Sequence, residues 1–228
     1  MTRLLVLVEG QSEKLFVEQT LKPHLEPFGV YVERPSVIWT HRQPSGGGFR
    51  GGVVTWSQIY RNLALLTADT HAWITTLFDF YGLPRDIPGY AEILQHEDPY
   101  SQVSLLQKKM AETVGCPRLI PFFALHEFEA WLFCAPQQVA DHFGHSHLAT
   151  WVQEVVDTSG GVERINHGDH THPKAQLQQL LQRVKTSYKE TSDGPILTRK
   201  IGLAAIRSMC PHFSQWLDQL ERLGQIVS

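Results

Sequence analysis

The sequence predicts an α/β fold: a parallel sheet flanked by helices, with a C-terminal α-helical appendage. Three observations carry this expectation. Residues 4–8, 72–78 and 119–125 are short apolar runs rich in branched and aromatic side chains, the pattern of strands buried on both faces. Segments with helical spacing separate them, and strand–helix alternation is the signature of a parallel sheet. Each run also leads into an acid: Glu9 directly, Asp79 directly, and Glu127 just past His126. Open parallel sheets carry their ligand crevice at the carboxyl ends of the strands. Those acids are therefore the first candidates for a site, against the plainer reading of Glu9 as a solvated turn residue. Two carboxylates on neighbouring strand ends are also what a shared magnesium ion or an acid/base pair requires.

In chain order, the run 4–8 ends at Glu9, Gly10 allows the bend, and Ser12 can cap a helix over about 12–24. In that helix Leu15, Phe16, Leu21 and Leu25 recur on one side, and Pro27 and Gly29 end it. Residues 30–38 alternate loosely as a strand, with Pro35 marking an edge or a bend. The stretch 41–52 holds five glycines with Arg42 and Arg50. It fits either a phosphate cradle with arginine forks or a solvated surface loop, and it lacks the Gly-Lys-Ser/Thr of a P-loop. Thr55 can cap a helix through Ile59, Leu63 and Leu66.

The strand 72–78 delivers Asp79-Phe80-Tyr81-Gly82, followed by the proline-punctuated loop 82–89. Residues 100–114 form an amphipathic helix, and the strand 119–125 then runs into His126-Glu127-Phe128-Glu129. On a helix, Glu127 and Glu129 would point roughly 200° apart, so only one is expected to face the crevice of Glu9 and Asp79.

Beyond Pro136 the texture changes to short helices near 137–143, 148–156, 173–184, 201–209 and 213–223, with a turn at 192–195. The expected division is an α/β domain over 1–135 and a helical appendage over 136–228 packed on it. The appendage holds His142, His145, His147, His167, His170 and His172. Such density makes a zinc site conceivable, but loops with several histidines are more often simply polar, and the cysteines lie far away in sequence. Lys174, Lys185, Lys189, Arg199, Lys200 and Arg207 are spread over its helices. They fit one face for a phosphate backbone or a set of solvated helix surfaces.

Bulk properties narrow the classes. The chain has 228 residues, 42% of them apolar, enough for one large domain or a domain with an appendage. A net charge of -3 gives no global basic field, so nucleic-acid binding would need a local patch. Three widely spaced cysteines, Cys116, Cys134 and Cys210, argue against a disulfide framework and for a reducing compartment. No apolar run suits a bilayer span or a signal peptide, so the expectation is a cytoplasmic protein with no membrane partner.

The stretch Val8-Glu9-Gly10-Gln11-Ser12-Glu13 resembles the opening motif of Toprim domains, found in topoisomerases, primases and overcoming-lysogenization-defect (OLD) nucleases. The whole chain resembles a bacterial family of Toprim-like proteins. In that family the glutamate motif is followed by Arg-Gly-Gly, here Arg50 to Gly52, and by Asp-Phe-Tyr-Gly, here Asp79 to Gly82. Leu-His-Glu-Phe-Glu follows at Leu125 to Glu129, then Pro173-Lys174 and an ending that runs from Ile201 to Phe213.

The resemblance implies a Toprim-like sheet with a Mg²⁺- (or Mn²⁺-) dependent phosphoryl-transfer site. It implies a nuclease acting on DNA or RNA, with a partner ATPase encoded nearby, in phage defence or DNA processing, and open to homo-oligomer formation. Glu9 is then a general acid/base or metal ligand, Asp79 holds the metal, and Glu127 or Glu129 completes its shell. Arg42, Arg50, Lys174, Lys189, Lys200 and Arg207 are the candidates for phosphate contact, with Gly10 and His126 shaping the strand ends. One departure stands out. The usual pattern has Asp-x-Asp on the second acidic strand, and Tyr81 replaces the second aspartate. A ligand is lost there, or supplied by Glu13, Glu127 or Glu129. The competing expectation is a non-catalytic Toprim-like module that binds nucleic acid or a partner protein, and a third is action on a small phosphoester.

Overall fold

Six strands form the sheet among the described residues: β1 (Thr2–Val8), β2 (Val30–Val32), β3 (Ser36–Val37), β4 (Ala72–Asp79), β5 (Leu119–Ile120) and β6 (Phe123–Ala124). The structure is a computed structural model and describes residues 1–38, 55–165, 168 and 170–225. The strand order is β2-β1-β4-β5, with β3 extending the edge beside β1 and β6 extending the edge beside β4. Every pairing is parallel. Val8 lies opposite Leu77, and Asp79 lies opposite Ala124, so Glu9 and Asp79 leave the sheet at the same end.

The central strands are apolar on both faces because both faces are covered. Leu4, Val6, Val8 and Leu77 point into one core, while Leu7, Ile74 and Phe78 point into the other. Alternation along a strand makes this division inevitable. The second core is closed by α3 (Trp56–Thr67) and α5 (Pro99–Val114), through Ile59, Leu63, Val103, Leu106 and Met110. In α3 the Thr55 N–H donates to Gln58 Oε1 at 2.9 Å, the capping expected of that threonine's position.

The first core is closed by α1 (Gln11–Phe16), which widens into a π-helical turn (Val17–Leu21) and ends as α2 (Lys22–Leu25). The C-terminal helices complete that layer. They are α6 (Pro136–Phe143), α7 (His147–Ser159), α8 (Pro173–Arg183), α9 (Glu190–Met209) and α10 (Pro211–Arg222), with α4 (Tyr90–Ile93) lying earlier, near α5. Phe16, Trp131, Leu148, Phe213 and Leu220 meet in this core. Trp216 of α10 stacks on Phe122 at 4.1 Å, and its indole N–H donates to Thr75 Oγ1 at 2.9 Å. The C-terminal segment thus shares a core with β1. No helix of the described residues is long and apolar enough to cross a membrane.

Four sequence expectations are corrected. The run 119–125 is two short strands, because Pro121 interrupts it and has no N–H for the ladder. Threonine side chains replace the lost pairing: Thr75 Oγ1 donates to Ile120 O at 2.6 Å, and Thr76 Oγ1 bonds both the N–H and the C=O of Phe122 at 2.8 Å. The segment 30–38 is likewise split around Pro35. Residues 192–195 are helical, lying in the first turns of α9, whose actual break is at Gly202 with φ 78°. Finally, the stretch after Leu125 is not an α-helix. Glu127 is extended (φ -152°, ψ 161°), and Phe128–Cys134 is a 3₁₀ helix.

Candidate functional site

Five acids gather where β1, β4 and β6 end. Glu9 Oε2 accepts the Asp79 backbone N–H at 3.3 Å, which ties the ends of β1 and β4 together. Asp79 Oδ1 accepts the Phe128 N–H at 2.8 Å, so the strand-end carboxylate also holds the start of the 3₁₀ helix. Glu13, in the first turn of α1, reaches back to the Gly10 N–H at 2.9 Å. A side chain at Gly10 would meet Glu13 Oε2 at 3.0 Å, which is why a glycine fits this turn. Glu127 Oε2 accepts the Lys174 N–H at 3.0 Å and lies 2.9 Å from His172 Nδ1. Glu129 Oε1 accepts the Tyr188 hydroxyl at 3.1 Å. Glu190, at the start of α9, pairs with the Lys174 ammonium, and its C=O accepts the Ser12 hydroxyl at 3.1 Å.

The helical spacing argument allowed only one of Glu127 and Glu129 into this group. Both are in it, because the extended backbone at Glu127 removes the angular constraint of an α-helix.

Burial makes the cluster electrostatically costly. Glu13, Glu127 and Glu129 are buried, while Glu9 and Asp79 keep an accessible edge. The Asp79 carboxyl is pushed well above its usual range, first by burial and then by the charges of Glu13, Glu9, Glu129 and Glu127. Burial pushes Glu129 up to about 8, with Glu127 adding to it and Lys174 opposing. Burial pushes Glu13 up to about 7 against its backbone bonds, with Glu9 adding. Glu9 is raised by burial, opposed by the Asp79 N–H, with Glu190 and Glu127 adding. The Lys174 ammonium, which burial alone would push down, is raised by Glu190, Glu129 and Glu127.

This donor set consists of hard oxygens, which suits Mg²⁺ or Mn²⁺ rather than a soft metal. Among the described residues, no three His, Cys, Asp or Glu side chains already stand together at ligand spacing. Each carboxylate is turned to a donor of the protein through one oxygen and retains further acceptor capacity. Holding a cation would therefore require some of them to turn inward.

The remaining sequence candidates divide. Lys174 belongs to the cluster. Tyr81 stacks on His172 with ring centroids 5.2 Å apart, at the accessible rim. Lys189 and Lys185 line a cleft with His142 and Asp193, and the Lys200 ammonium is 3.4 Å from His142 Nδ1. Arg207 is not part of the site: it pairs with Asp218 and Glu221 on α10, beyond the break at Gly202, where two carboxylates occupy its guanidinium. His126 is buried with φ 66°, and its Nε2 lies 3.1 Å from Glu163 O, so it braces the turn. Arg42, Arg50 and His167 fall outside the described residues. Among the described residues His142 meets Asp193, His172 meets Glu127 and His147 stacks on Trp151, and no three metal-ligating side chains stand together.

Sequence reasoning missed Glu190 and Tyr188, and it named His172 only within the histidine cluster, not beside the acids. The mistaken turn at 192–195 hid Glu190 and Tyr188, whereas His172 sits directly before the Pro173-Lys174 motif that could have drawn attention to it.

Gly194 gives Tyr188 its room. A side-chain carbon there would meet the Tyr188 hydroxyl at 2.7 Å and Phe128 at 3.3 Å. Gly194→Ala should lower stability by about 1–2 kcal/mol, the overpacking cost less the helical gain of alanine. In a Tyr188→Phe background the same change should be neutral or stabilising. Thermal melts of the double-mutant cycle check this, and an equal loss in both backgrounds would place the strain elsewhere.

Fold and site together define a parallel α/β protein with an acidic cluster at the carboxyl ends of its central strands. The chain belongs to the family described as Domain of unknown function (DUF4276), whose model matches residues 8–221. Among solved structures it is similar to the C-terminal region of the Burkholderia pseudomallei OLD protein, at 13% identity over 98% of this chain and 99% of that one, with a TM-score of 0.46. It is also similar to the C-terminal region of the Xanthomonas campestris pv. campestris OLD protein, at 15% identity over 99% and 97%, with a TM-score of 0.45. No curated protein matches the chain.

Proposed function

We propose that this protein is a Toprim-like, Mg²⁺- or Mn²⁺-dependent phosphoryl-transfer protein, a nuclease acting on DNA or RNA. One observation carries the reading: Glu9, Glu13, Asp79, Glu127 and Glu129 converge, largely buried, with the Lys174 ammonium and the His172 imidazole as their partners. Active sites are where burial and like-charge neighbours are arranged to shift pKa values, so such a cluster in a crevice is a functional-site candidate. Glu9, Asp79 and one or both of Glu127 and Glu129 would hold the ion, with Glu13 beside them. When bound, the ion would polarise a phosphodiester and stabilise charge on the leaving oxygen.

The chain's own groups have separate tasks. Burial, with the charges of Glu190 and Glu127, raises the Glu9 pKa, which suits this carboxyl to a proton-transfer role. Lys174 stands beside the acids as the group that positions a phosphate oxygen, once Glu190 releases it. The reading takes with it, from the family resemblance, a cytoplasmic setting, a partner ATPase and a role in phage defence or DNA processing. The test is cleavage of plasmid and oligonucleotide substrates in Mg²⁺ or Mn²⁺, with wild type against Glu9→Gln. A loss of about 10²-fold in the variant is expected, and equal cleavage by the two would assign the activity to a contaminant.

A second reading, a non-catalytic module that binds nucleic acid or a partner protein, is favoured by Tyr81, an aromatic ring at the position of the second aspartate. Calorimetry separates the two readings. Mg²⁺ or Mn²⁺ binding that is lost in Glu9→Gln supports the enzyme, and absence of metal binding even with nucleic acid present supports the module.

A further inference from the structure

The loop after Asp79 builds a cavity of its own. It has a volume of about 380 Å³, in the range of small-ligand sites, and is lined by Tyr81, Leu83, Arg85, Tyr90, Leu94 and Gln102 among others. The walls are preorganised. The Ile87 N–H donates to Pro84 O and the Tyr90 N–H to Ile87 O, both at 3.1 Å, and Asp86 Oδ1 accepts the Trp56 N–H at 3.0 Å. Tyr81 and Leu94 stay 41% and 69% exposed at a mouth where solvated polar residues would be ordinary. The Arg85 guanidinium has no ion-pair partner among the described residues. Two contacts link this loop to the acids. Tyr81 stacks on His172, the partner of Glu127. Next to it, Gly82 lies against Glu9, where an added side-chain carbon would come within 3.4 Å of Oε1.

An aromatic wall, apolar floor and guanidinium, in the loop that follows Asp79 of the proposed phosphoryl-transfer site, match the parts that bind an unstacked base and its phosphate. We propose that this cavity takes an unpaired nucleobase of a single-stranded nucleic acid, next to the phosphodiester at the acidic cluster. Tyr81 and Tyr90 supply the stacking surface, Leu83 and Leu94 the apolar floor, and Arg85 contacts the neighbouring phosphate. This rests on the phosphoryl-transfer reading for the phosphodiester's place, and it fixes the substrate as single-stranded or locally unpaired. A base held in a duplex stack could not enter without being extruded.

The test is fluorescence anisotropy in EDTA, where binding is read independently of cleavage. An oligothymidine should bind about tenfold tighter than an abasic strand of equal length, which carries the same phosphates without bases. Tyr81→Ala and Leu94→Asp should each erase most of that difference, and Tyr81→Phe should keep it. Leu94 is exposed, so its variant keeps the test valid if Tyr81→Ala folds poorly. A hairpin duplex should bind more weakly than the oligothymidine, and thymidine 5′-monophosphate should compete only weakly. Equal affinity for abasic and thymidine strands, tighter duplex binding, or a monophosphate that outcompetes the strand would overturn the proposal. A base preference without any metal-dependent cleavage would instead defeat the nuclease reading and leave the base site standing.

Discussion

Asp79→Asn should melt above the wild type in EDTA at pH 8, yet lose both the stabilisation by Mg²⁺ or Mn²⁺ and at least about 10²-fold of any metal-dependent cleavage. The two effects have one origin. Asp79 lies among four glutamates whose charges raise its pKa after burial has already done so. At pH 8 the folded chain must either keep that carboxyl protonated or hold buried like charges together, and both cost stability. Asparagine removes the charge and still offers an Oδ1 acceptor to the Phe128 N–H, so the start of the 3₁₀ helix keeps its anchor. The expected gain is about 2 kcal/mol, or roughly 4–8 °C in a chain of this size. Wild type at saturating metal, about 100 times its Kd, should gain about 2.7 kcal/mol, and the variant should gain little. A residue that destabilises the empty fold and is needed for the ion is a functional residue in the thermodynamic sense. If Asp79→Asn melts below wild type in EDTA, the carboxylate is a structural brace. If the variant keeps the metal shift, the ion is held elsewhere.

Much of this arrangement is legible in the sequence where local pattern and tertiary demand coincide. Residues 4–8 and 72–78 are central strands, buried on both faces, so their unbroken apolar runs report their position directly. The acids that end them inherit a defined place from the strand order. The third run is less legible because its pairing depends on Thr75 and Thr76, side chains on another strand that take over from Pro121. The angular argument on Glu127 and Glu129 fails for a related reason: a periodicity of side chains is informative only once the backbone state is known, and Glu127 is extended. Glu190 and Tyr188 are invisible from local sequence. They enter the site because α9 packs on α1 and on the 3₁₀ helix, a contact set by shared burial of residues distant in sequence. Gly194 shows the same dependence, since its lack of a side chain is explained only by the Tyr188 hydroxyl above it.

Stability of the metal-free protein should fall as pH rises from about 6.5 to 8. Glu13 is raised to about 7 and Glu129 to about 8, both mainly by burial, whereas the unfolded carboxyls titrate near 4.5. Between those values the folded state binds more protons than the unfolded state, so the stability supplied by these groups is present at low pH and lost as pH climbs through the folded pKa values. His212 works the other way below that window. Burial lowers it to about 4, so folding excludes a proton that the unfolded imidazole holds up to about 6.5, and stability rises with pH there. From 6.5 to about 7.5 that opposing slope fades as the unfolded imidazole loses its proton, and above it the acids alone set the slope. Each group still protonated contributes about 1.4 kcal/mol per pH unit, so the fall to pH 8 should reach roughly 2 kcal/mol, or about 4–8 °C. Mg²⁺ or Mn²⁺ should reverse the trend, because a cation replaces the protons and its advantage grows as they leave. Glu129→Gln should flatten the metal-free slope near pH 8 by removing a group that titrates there. The measurement is a series of thermal melts at pH 6.5, 7, 7.5 and 8, in EDTA and in each metal. A metal-free melting temperature that is constant or rising across the series would mean that the five acids do not share a desolvated site, and the metal-binding reading would go with it.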